Sequence, residues 1–91
     1  MAITVADYQR IFHKVGGQNV IFEISDEDIA SDPSYFGYLA ESGAWIIQKR
    51  TASTGLYRYI AGQSGYKTAV TGAWATRAAK TYVHFNEISN L

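Results

Sequence analysis

At 91 residues and without cysteine, the chain is long enough for one small domain and holds neither a disulfide framework nor a thiolate metal site. It is 47% hydrophobic and 14% aromatic, and its formal net charge of +0 argues against the strongly basic profile of small nucleic-acid-binding domains. No apolar run approaches the roughly 18 residues of a membrane span and no charged-then-apolar leader opens the sequence, so the expectation is a non-membrane protein made in the cytoplasm.

Thr4 with Asp7 forms a capping box, and Val5, Tyr8, Ile11, Phe12 and Val15 recur at spacings of three and four. This predicts a helix over 5–15, stopped by Gly16-Gly17; the competing reading is an extended arm ordered by a neighbour. Val20, Phe22 and Ile24 alternate with Ile21 and Glu23, which predicts a strand. Ser25 with Asp28 makes a second capping box, so a helical turn is expected over 26–30, ended by Pro33.

A β-meander is expected from there on. Its strands are Tyr35–Ala40, Ala44–Arg50 and Leu56–Ala61, with a turn at Ser42-Gly43 and a loop at Thr51–Gly55. Pairing Arg50 with Leu56 sets Ile47 opposite Tyr59 and Trp45 opposite Ala61. Both faces of this hairpin are partly apolar, so both need cover. Residues 67–79 fit a helical turn or a bent edge, and Lys80–Phe85 a last strand. The predicted fold class is α+β and β-rich: one small domain whose β-meander or sandwich core spans 18–86, with a helix or arm over 1–17 and a tail over 87–91.

Charge is sorted along the chain. Residues 1–41 hold seven acids against two bases, a net of −5, and residues 42–91 hold six bases against one acid, a net of +5. If this polarity survives folding, an acidic patch around Glu23–Asp32 faces a basic patch of Lys49–Arg58, Arg77 and Lys80, and acid-to-base docking follows. If the fold brings the halves together, the charges intermix and no patch forms.

Catalytic signatures are weak. Gly62-Gln63-Ser64-Gly65-Tyr66 misses the nucleophile elbow at its last position, and a loop serine is the plain reading. His13 and His84 have no second histidine at metal-ligand spacing. Asp26-Glu27-Asp28 lacks the glycine of a calcium loop. The second half interleaves bases with Tyr57, Tyr59, Tyr66, Trp74 and Tyr82, as a single-strand nucleic-acid platform does, but packing aromatics with solvated bases explain the pattern better in a chain of neutral net charge. No cofactor, metal, catalytic residue or small-molecule substrate is expected.

The order Trp45-Ile46-Ile47-Gln48-Lys49-Arg50, Tyr59-Ile60-Ala61-Gly62, Tyr66, Trp74-Ala75-Thr76-Arg77-Ala78 and Thr81-Tyr82 resembles short structural-region proteins of tailed bacteriophages. Lys80 stands where that pattern is usually apolar. The resemblance covers about residues 35–85 and implies a virion component without catalysis, at the head–tail junction, on the tail or on the capsid surface. Its partners would be copies of itself and other virion proteins. The rival expectations are an aromatic-faced module for a glycan or peptide in host attachment, and a small nucleic-acid-binding regulator. The candidate interface and packing residues are Trp45, Tyr57, Arg58, Tyr59, Tyr66, Trp74, Arg77, Asp26 and Asp28. Arg77 is expected to pair with Asp26 or Asp28, and both tryptophans to anchor buried packing.

Overall fold

The computed structural model describes residues 10–67 and 71–88. Five strands follow in chain order, each antiparallel to the next: β1 (Arg10–Val15), β2 (Gln18–Asp28), β3 (Ser34–Leu39), β4 (Trp45–Thr51) and β5 (Leu56–Gly62). Short connections between alternating segments leave each strand no partner nearer than its predecessor, which makes a meander. After β5 the chain crosses the sheet as an irregular strap, with 3-10 turns at Arg77–Ala79 and Phe85–Glu87.

Several sequence expectations are corrected. Residues 10–15 of the predicted helix form β1; residues 1–9, with the Thr4–Asp7 box, lie outside the described residues. Gly16 and Gly17 both have positive φ, 58° and 85°, which suits the tight turn of a hairpin and not a helix stop. The Ser25–Asp28 segment is strand and not a helical turn. In the β4–β5 hairpin Thr51 pairs with Leu56 and Arg50 with Tyr57, one residue away from the expected register. The turn closes when the Thr51 carbonyl accepts the Gly55 N–H at 2.8 Å, with Gly55 at φ 70°. The slip puts Ile60, not Tyr59, opposite Ile47, so Tyr59 moves to the other face. The expected last strand reduces to one bridge, in which Val83 and Tyr59 exchange N–H···O bonds of 2.7 and 2.8 Å.

The sheet has two covered faces. One holds Phe22, Phe36, Tyr38 and Ile46, with Ile11, Val15, Ile24 and Ile88 packed around them. Phe85 reaches both margins of this face, standing edge-on to His13 of β1 at 5.7 Å and to Tyr59 of β5 at 5.0 Å. The sheet therefore curls about this core. The opposite face holds Tyr35, Trp45 and Ile47, and the strap covers it with Tyr66, Ala73, Trp74 and Tyr82. Trp45 is 6% exposed and its Nε1–H donates to the Ser64 carbonyl at 2.7 Å, so the polar edge of the ring is satisfied as the apolar body is buried.

Gly37 of β3 makes close seating of the strap possible. A Cβ built there would fall on the Tyr66 hydroxyl and come within 2.9 Å of the Trp74 ring. Gly37→Ala is expected to lift the strap and cost about 1–3 kcal/mol, as overpacking does. Thermal unfolding checks this: a midpoint equal to the parent's would show that the strap does not need the gap.

Candidate interaction surface

One residue of β2 decides how the strap is held. Ile24 pairs with Tyr38 and Asp26 with Gly37, so Ser25 is an extra residue, a bulge in the ladder. Side chains alternate along a strand, and an inserted residue moves everything after it to the other face. Asp26 and Asp28 consequently stand opposite Gly37 and Tyr35, on the strap side.

Each aspartate holds a different part of the strap. Tyr66 donates its hydroxyl to Asp26 Oδ2 at 2.7 Å, and the Lys67 ammonium donates to Oδ1. Arg77 donates from Nη2 and Nε to Asp28 Oδ2, at 2.8 and 3.3 Å, and from Nη1 to the Trp74 carbonyl at 2.8 Å. Its guanidinium also lies 4.4 Å from the Trp74 ring centroid, a cation–π contact. Tyr82 donates to the Arg77 carbonyl at 2.9 Å. Of the two carboxylates expected for Arg77, Asp28 is its partner.

Burial opposes ionisation of Asp26, but hydrogen bonds from Lys67, Tyr66 and Ser25 outweigh it and hold the carboxyl below its ordinary value. The Arg77 hydrogen bond does the same for Asp28. Burial and the Asp26 charge push the Tyr66 phenol up, so it stays protonated and donates. The acidic first half and basic second half thus meet inside the fold. The expected patches lose Asp26, Asp28 and Arg77 to internal pairs, Asp26 to Lys67 and Asp28 to Arg77, and Arg10 lies 3.6 Å from Glu23. Asp32 accepts the Ala52 and Ser53 N–H groups, at 2.7 and 3.2 Å, and joins the β2–β3 connection to the β4–β5 turn.

The other candidate residues divide the same way. Trp45 and Tyr66 are buried, and Trp74, Tyr59 and Arg58 are half-buried, with Arg58 Nη1 donating to the Tyr57 carbonyl. Tyr57 is 46% exposed. The aromatics of the supposed stacking platform are therefore mostly packing groups.

Sequence reading missed the surface left open. Phe12 of β1 and Ile21 of β2 sit opposite each other on the part of the sheet beyond the strap, 62% and 44% exposed. Ile21 and Leu39 share with Glu23 and Glu41 a cleft of about 520 Å³. The signal was present, since Phe12 and Ile21 both fall out of phase with the core positions of their strands, but it needs the β1 hairpin to be recognised. A second apolar surface lies at the other end of the sheet, with Ile29, Leu56 and Tyr57 exposed. Among the described residues, no three His, Asp or Glu side chains gather as a metal site, and no helix is long and apolar enough to cross a membrane.

No family model matches the chain, and comparison with curated proteins and with solved structures gives no match.

The aspartate clamp predicts an acid-labile strap. Both carboxyls titrate below the unfolded value, so their contribution is complete above about pH 4 and disappears as pH falls through the lower folded values. Asp26→Asn is expected to cost about 1–3 kcal/mol at neutral pH, because it weakens charge-assisted bonds, and to flatten stability against pH on the acid side. Denaturant titrations along a pH series check both; a variant with the parent's acid slope would remove Asp26 from the clamp.

Proposed function

We propose that this protein is a non-enzymatic structural subunit of a tailed-bacteriophage particle, acting by protein–protein contact through the open face of the β1–β2 hairpin. The observation that carries the reading is the pair Phe12 and Ile21, with Leu39 beside them, exposed on a sheet whose two faces are elsewhere largely occupied by core packing. Exposed large apolar side chains grouped beside carboxylates have the character of a contact surface, with an apolar centre and a charged rim.

The sequence resemblance supports the phage assignment in a specific way. Its residues are the ones that fix the strap: Trp45 packs against Tyr66, a Cβ at Gly62 would strike the Trp45 ring, Arg77 binds Asp28, and Tyr82 binds the Arg77 carbonyl. A pattern that encodes a scaffold suits subunits that share a fold and vary their outer faces.

The test is incorporation. Mass spectrometry of purified particles is expected to find the protein at a fixed copy number. Ile21→Asp is expected to leave thermal stability within about 0.5 kcal/mol of the parent, as exposed substitutions do, and to leave the protein free in the lysate. A parent absent from particles, or an Ile21→Asp variant incorporated at the parental copy number, would overturn the assignment.

A further inference from the structure

The two apolar surfaces lie at opposite ends of the sheet; Glu41 at the first and Arg50 at the second are two of the charges without an ion-pair partner among the described residues. At the first end, β3 leaves through Leu39 into the turn to β4. Glu41 sits there, exposed, beside Ile21 and Leu39 in their cleft. At the second end, where Ser34 pairs with Arg50, the Arg50 guanidinium lies between two rings, 4.7 Å from the Phe36 centroid and 5.2 Å from the Tyr57 centroid. Its Nε is buried and has no hydrogen-bond acceptor. Glu27 lines the same cleft as Arg50 without forming an ion pair with it. The two rings hold the guanidinium at this end of the sheet by cation–π contact, and a guanidinium is a natural partner for a carboxylate brought by another molecule.

We infer that these ends bind each other between copies: the Arg50 end of one subunit, with Tyr57 and Ile29 around it, docks into the Ile21–Leu39 cleft of the next and pairs with Glu41. The inference rests on the proposed contact surface and names its occupant as a second copy. Charge selects that occupant: at one end a cation flanked by Phe36 and Tyr57, with Ile29 and Glu27 in its cleft, and at the other Glu41 and Glu23 beside Ile21 and Leu39. Arg and Tyr are also the residue types that dominate interface energetics. The two docking surfaces differ, so the contact is heterologous, and repetition gives a ring if the rotation closes and a filament if it does not.

The test uses the full chain and light scattering after size exclusion, across concentration and salt. The parent is expected to assemble, and Arg50→Glu or Glu41→Arg alone to remain folded and at least tenfold less associated. Both reversals in one chain should restore assembly. An equimolar mixture of the two single variants should also assemble, with the two alternating, because every junction then joins opposite charges, native at one contact and reversed at the next. The absence of native cysteine allows a second measurement that needs no charge change at Arg50. A variant carrying both Glu41→Cys and Tyr57→Cys should oxidise to a covalent ladder, whereas each single variant should yield none beyond dimer. A parent that stays monomeric at every concentration, a double reversal that does not reassemble, or a double-cysteine variant without a ladder would overturn the inference. If Ile21→Asp still blocks incorporation into particles in that event, the contact surface stands and its occupant is another protein.

Discussion

Two carboxylates on the second half of β2 determine whether the last quarter of the chain belongs to the fold. The strap has little regular structure of its own and buries its rings only while it lies on the sheet. Asp26 fixes its start through Tyr66 and Lys67, and Asp28 fixes its middle through Arg77. Between these points Trp74 closes over Gly37, and the amides of Ala73 and Trp74 bond back to the carbonyls of Gly65 and Tyr66 at 2.9 and 3.0 Å. All of it depends on the bulge at Ser25, without which the same aspartates would point into the apolar core of the curled face.

This arrangement changes the meaning of the charge asymmetry. A chain with an acidic first half and a basic second half looks built for docking, yet Asp26 and Asp28 meet Lys67 and Arg77 within the molecule. Among the charges without an ion pair are Glu41 and Arg50, at opposite ends of the sheet, each beside exposed apolar groups. Ion pairs at the strap contribute through partial burial and convergence on one element, where isolated surface pairs contribute little.

The strands were legible wherever pattern is local. The alternation from Val20, the apolar run Tyr35–Ala40 and the hairpin Trp45–Gly62 all emerge close to their observed bounds. Four things were not. Ile11, Phe12 and Val15 satisfy a helical spacing as well as a strand, and the choice falls to Gly16-Gly17, whose turn chemistry favours a hairpin. Ser25-x-x-Asp28 fits a helix cap by composition, and it is pairing with β3 across the Ser25 bulge, which local composition does not reveal, that makes it strand. Register across the β4–β5 turn depends on one residue of loop length, which apolar side chains on both faces leave undetermined. The pairing of Arg77 was readable to within two aspartates, because a fork-shaped cation in an otherwise apolar segment needs a carboxylate. Its contact surface was hidden because the hairpin that presents Phe12 was read as a helix.

The central claim is that Asp26 and Asp28 hold the strap onto a sheet that forms without it. Native-state hydrogen exchange on the Asp26→Asn/Asp28→Asn double variant tests this most directly. Loss of the clamp should open the strap locally, so the Ala73 and Trp74 amides should lose protection while the amides of β3 and β4 keep theirs. Equal protection of the strap in variant and parent, or loss across strap and sheet together, would contradict the account.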